Sequence, residues 1–114
     1  MTPAIDRTKL YAQVQIDTST QPRLICMLHE KCVQLIRHHI DTDSPHQTSN
    51  SIQAQNILAQ LERSLKQDDE VADGLFFLYD YCYCQLEKAD KQSSASAMSI
   101  MSRIRDTFEQ LSRN

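Results

Sequence analysis

The chain contains a single glycine, Gly74, three prolines and no tryptophan in 114 residues. So little glycine excludes most β architecture, because hairpins and tight corners need backbone at positive φ, which glycine supplies without steric cost. It also excludes a glycine-rich phosphate loop, which holds nucleotides on bare backbone N–H groups. No apolar run approaches the roughly 20 residues of a membrane span, so stable membrane insertion is not expected. The N-terminal Met1–Lys9 stretch lacks the apolar core of a secretion signal. Basic residues stand singly among acids and the formal net charge is -3, so nucleic acid is not an expected partner. What remains is an all-α chain of single-domain length. Its four cysteines are expected to stay reduced in a cytoplasmic setting.

Residues 1–19 carry no sustained hydrophobic period and read as a mobile N-terminal arm, with Tyr11, Val14 and Ile16 as its apolar contacts. Residues 20–114 read as one helical domain. Thr20 is the expected N-cap of a first helix, and Pro22 falls in the first turn, where a missing N–H costs little. That helix is predicted to end near Ile40, before a loop over residues 41–49. A second helix is predicted from Asn50 to Lys66. The acids Asp68, Asp69 and Glu70 favour the start of a third, by charge against the helix dipole, running to about Ala89. Lys91 to Ser94 read as a polar connector, and a fourth helix as Ser94–Ser112. The expected architecture is an antiparallel four-helix bundle.

The helices differ in how much apolar surface they carry. The second (Ala54, Ile57, Leu58, Leu61, Leu65) and the fourth (Ala97, Ile100, Met101, Ile104, Phe108, Leu111) each show one stripe. The third has a core stripe of Val71, Leu75, Leu78, Tyr79, Cys82 and Leu86, with Phe76 and Tyr83 on its flank. Nearly opposite lie Phe77, Tyr81 and Cys84, at i, i+4 and i+7. In the first helix, Leu24, Leu28, Cys32 and Leu35 form the core stripe, and Ile25, His29, Val33, Ile36 and Ile40 widen it. Such breadth calls for cover beyond two neighbours. Phe77, Tyr81, Cys84, Ile25, His29, Val33 and Ile36 are therefore the expected partner-binding surface.

Chemistry has few candidates. Cys26, His29 and Cys32 recur every three residues, but only two of the three share a helix face and a structural zinc site takes four ligands. They read better as buried thiols beside a histidine at the edge of an apolar face. Cys82 and Cys84 point some 200° apart on a helix and can neither bridge nor share a metal. His38, His39 and His46 read as solvated. The serines cluster where helices need caps. No metal site, no cofactor and no catalytic group is expected; the chain reads as a binding or scaffolding protein rather than an enzyme.

Three segments in register resemble the flagellin export chaperones, the FliS family. They are Tyr11-Ala-Gln-Val-Gln-Ile-Asp-Thr-Ser-Thr with Leu24-Ile-Cys-Met-Leu28, then Ala54 to Leu61 with Ser64-Leu65, then Leu78-Tyr-Asp-Tyr81 with Leu86 to Ala89. His29 stands where that family's pattern has tyrosine, Lys31 where glycine is usual and Phe108 where tryptophan is common, and the proline after the cap falls one place late, at Pro22. The resemblance implies a cytosolic monomer that binds the disordered C-terminal segment of flagellin, prevents its premature polymerisation and delivers it to the type III export gate. It further implies that the N-terminal arm covers part of the binding surface until the client arrives. Alternatives are a chaperone for a paralogous export substrate, a homo-oligomeric structural or regulatory bundle, and a metal-sensing bundle built on Cys26, His29 and Cys32.

Overall fold

The computed structural model describes residues 21–66 and 68–113, so Thr20 and the arm contacts Tyr11, Val14 and Ile16 lie outside the described residues. Four helices are described, α1 (Gln21–Thr42), α2 (Ser49–Arg63), α3 (Glu70–Glu87) and α4 (Lys91–Arg113), with no strand among the described residues. They form an antiparallel bundle. Packing runs α1 on α2, α2 on α3, α3 on α4 and α4 back on α1, which leaves α1 and α3 on one diagonal.

The starts of α2, α3 and α4 are built locally. Thr48 and Ser51 form a capping box at α2, each side-chain oxygen accepting the other's backbone N–H. At α3 the Asp69 carboxylate accepts from Val71 and Ala72 N–H at 2.9 and 3.2 Å, so one of the acids expected at this start is the cap itself. Asp90 does the same for α4, accepting the Ser93 N–H at 2.7 Å and the Ser93 hydroxyl at 2.8 Å. The predicted connector at Lys91–Ser94 is therefore the first turn of α4, and the joint is shorter than expected. The joints turn through left-handed residues at Asp43 (φ 56°), Asp68 (φ 61°) and Ala89 (φ 65°), and none of these is glycine.

Leu58 and Leu61 from α2, Tyr79, Cys82 and Leu86 from α3, and Ala97 and Met101 from α4 fill the core with Cys32, Val33 and Ile36 of α1. Each large apolar side chain buried this way contributes about 1.5–3 kcal/mol. The two core thiols mark close helix contacts: Cys32 donates to the Ala54 carbonyl at 3.8 Å and Cys82 to the Ala97 carbonyl at 3.7 Å. Small residues at both points let neighbouring backbones come together. Gln55 ties α2 to α3 by donating to the Tyr83 carbonyl at 3.1 Å, while Gln47 donates to Gln55 Oε1 at 2.8 Å and reaches the Leu86 carbonyl. His39 is buried rather than solvated, and its Nδ1 meets the Thr48 hydroxyl at 2.9 Å, so α1 steadies the cap of α2. His38 and His46 are exposed.

Candidate partner-binding surface

The core direction of α3 is set by Ala72, Tyr79, Cys82 and Leu86, all buried. Leu75, Leu78 and Tyr83 flank them and pack against the core from partly buried positions. That arc is taken up by α2 and α4, and the opposite arc faces outward. Phe77 is 68% exposed, Tyr81 39%, and Cys84 is exposed as well. Three of the expected partner-binding residues thus share one open helix face. Gln85 donates to the Tyr81 hydroxyl at 2.6 Å, which fixes the ring against the helix from which it projects.

Gly74 belongs to this face, three residues before Phe77 and seven before Tyr81. A Cβ placed on it would meet nothing within 4 Å. Glycine inside a helix costs up to about 1 kcal/mol relative to alanine, and no internal packing here demands it. Phe76, assigned to a flank from the sequence, is also exposed, and so is Val71, which was expected in the core. Val71 lies in the first turn of α3, where the helix has only just entered the bundle.

The four residues expected on α1 fall differently. His29, Val33 and Ile36 are fully buried and face no solvent. The breadth of apolar surface on α1 is consumed inside the bundle, by α2 on one side, α4 on the other and Tyr79 across the diagonal. A partner could touch these three only by opening the helices. Ile25 is partly buried and lines a cavity of about 160 Å³ at one end of the bundle, with Leu65, Val71, Leu75, Tyr79 and Phe108.

His29 is the polar centre of the α1 interior. Its Nε2 lies 2.8 Å from the Tyr79 hydroxyl, and Phe108 packs edge-on against its ring at a centroid distance of 4.7 Å. Two of the positions at which the sequence departs from the resembled pattern, His29 and Phe108, are therefore in ring contact. Burial pushes the imidazole down to about 4, so it is neutral near pH 7, and its Nδ1 has no hydrogen-bond partner. Burial also raises the Cys32 thiol, with the nearby Cys82 adding to it, and burial pushes Cys82 up to about 12. Neither thiol ionises near neutral pH, which makes both poor nucleophiles and poor metal ligands. Among the described residues no group of three or more His, Cys, Asp or Glu side chains could hold a metal ion. No helix among them is long and apolar enough to cross a membrane.

Comparison with known proteins agrees with the resemblance seen in the sequence. The family profile described as flagellar protein FliS matches residues 4–114. The flagellar secretion chaperone FliS of Bacillus subtilis (strain 168) is 28% identical over 108 residues, covering 88% of this chain and 81% of that protein.

Proposed function

The chain belongs to the FliS family of flagellar proteins, and on that premise we propose that it is a cytoplasmic flagellar export chaperone that captures the C-terminal segment of flagellin. One observation supports this above the others. A bundle whose core is already complete carries a second apolar face on α3, with Phe77 more than two-thirds exposed. Helix-in-groove recognition uses such a face, taking an amphipathic segment by its i, i+3, i+4 and i+7 side chains. A client that is disordered when free spends several kcal/mol on ordering, which burial of a large apolar area offsets.

In this reading Phe77, Tyr81 and Cys84 make the client contacts, Ile25 borders the end cavity, and His29, Val33 and Ile36 support α1 from within. The segment carrying Tyr11, Val14 and Ile16 covers part of the surface before the client binds. An export-gate component of the secretion system is the second partner, and the free chain is a monomer.

Capture of a flagellin C-terminal peptide by the purified chain, measured by calorimetry, tests the reading directly. No binding at micromolar peptide would overturn it. Deleting residues 1–12 should leave the helical signal intact and change the dissociation constant, and an unchanged constant would remove the covering role of the arm. Sizing of the free chain separates the reading from a homo-oligomeric bundle: a stable dimer without peptide affinity assigns the same face to self-association.

A further inference from the structure

The outward arc of α3 is apolar and acidic in alternation. Asp80 stands three residues beyond Phe77, and Glu87 three beyond Cys84, so each carboxylate is one turn from an exposed apolar side chain. Asp73, Asp80 and Glu87 succeed one another at intervals of seven and make one ridge along the helix, all exposed. Glu62 of α2 adds to it. Partial burial and then the negative charge of Asp80 hold the Glu62 carboxyl above its ordinary value, with Arg63 opposing, and its Oε2 is buried without a hydrogen-bond partner. The Cys84 thiol is raised too, by slight desolvation and by the converging charges of Asp80, Glu87 and Glu62, with Lys88 opposing.

None of these four carboxylates enters an ion pair among the described residues. Ion pairs among the described residues at Lys91–Asp43, Arg105–Glu30 and Arg105–Asp106 lie away from this face. The ridge is therefore a line of carboxylates without contact ion pairs, with Arg63 and Lys88 the cations felt at its sides, beside an apolar column, and Gly74 leaves bare backbone where that column begins. A second copy of the chain is a poor occupant. Antiparallel two-fold pairing through this face would set the acidic ridge close to its own image.

We infer that the outer face of α3 docks an amphipathic helix whose apolar stripe lies on Phe77 and Tyr81, passes close over Gly74, and is flanked by Lys or Arg side chains that meet Asp73, Asp80 and Glu87. That the helix comes from an export client rests on the proposed function; the charge requirement stands on α3 itself. Fields of one sign along a docking surface select the partner's charge and speed its encounter more than they add affinity. A neutral apolar helix would use the aromatic column alone.

The test uses the full chain and two synthetic helical peptides with the same leucine stripe, one flanked by lysines at intervals of seven and the other by glutamates. The lysine peptide should bind about tenfold tighter at low salt. The preference should fall to within about twofold at 1 M salt, where charges are screened beyond about 3 Å. The double variant Asp80→Lys/Glu87→Lys, on an exposed surface, should keep the helical signal and invert the preference. Equal binding of the two peptides, or a preference that survives the double reversal, overturns the inference. So does absence of binding with the chain sedimenting as a dimer, which gives the face to a second copy. A flagellin peptide that binds with no response to the double reversal would leave the chaperone reading standing and remove only the charge rule.

Discussion

His29 and Tyr79, fifty positions apart in sequence, meet at 2.8 Å across the diagonal of the bundle and join the two helices that do not share a side. The contact is polar, buried and braced by the Phe108 ring. It adds one side-chain hydrogen bond across the diagonal to the contacts that tie neighbouring helices together.

Replacing Tyr79 by phenylalanine removes that bond and leaves a second nitrogen of His29 unsatisfied, since Nδ1 already has no partner. The expected loss is about 1–3 kcal/mol in urea unfolding with an unchanged m-value. Tyr81→Glu on the exposed face should change stability by no more than about 0.5 kcal/mol, yet abolish client binding. The reverse outcome, a melted Tyr81→Glu chain and an untroubled Tyr79→Phe chain, would mean that the two faces of α3 have been exchanged.

The same histidine makes stability depend on pH in one direction. Its folded-state value of about 4 lies below the ordinary imidazole value of 6.5, because burial disfavours the charged ring. The contribution is complete above pH 6.5, because both states are then neutral. It falls as the unfolded chain takes up a proton, by about 1.4 kcal/mol per pH unit, and levels off near pH 4. Urea midpoints between pH 7 and pH 5 should decline in the wild type and decline less in His29→Leu. Parallel curves would show that the ring is not buried in its neutral form.

Gly74→Ala should raise stability by about 0.5–1 kcal/mol, because the helix gains propensity and the added methyl meets open space. Thermal unfolding reads this directly. The gain should come with weaker capture of any helix that approaches α3 closely at this point.

Much of this was legible in the sequence, and the exceptions have physical causes. Periodicity placed Tyr79, Cys82 and Leu86 inward and Phe77, Tyr81 and Cys84 outward, because a helix fixes angles between its own residues. It could not say how many neighbours a wide face meets. His29, Val33 and Ile36 were expected at the surface on that count, and the diagonal contact to Tyr79 shows where the missing cover lies. Val71 carries the period of the core yet stands exposed at the start of α3, which angle alone cannot reveal. The beginning of α4 was misread for another reason. Lys91, Gln92, Ser93 and Ser94 have the composition of a loop, and only the reach of the Asp90 carboxylate to Ser93 distinguishes a capped first turn.

Thr48→Ala removes two supports together, the cap of α2 and the hydroxyl that meets buried His39. A loss of about 1–3 kcal/mol is expected in urea unfolding, more than for an isolated cap. Serine at the same position should restore most of it.

Thiol labelling separates the cysteines without any substitution. Cys84 is exposed and should react with a small disulfide reagent in the folded chain. Cys32 and Cys82, enclosed and held protonated, should react only after denaturant is added. Labelling of all thiols at one rate would contradict the packing at the Ala54 and Ala97 carbonyls.

The joints at Asp43, Asp68 and Ala89 set the mechanical character of the molecule. Each contains a left-handed residue that bears a side chain, a conformation most non-glycine residues adopt rarely. Swinging one helix away from its neighbour would require moving such a residue out of a narrow well while also breaking the core it borders. Non-glycine residues at these positions lower the conformational entropy that the unfolded chain loses at each turn, and the joints make the folded connection without any glycine.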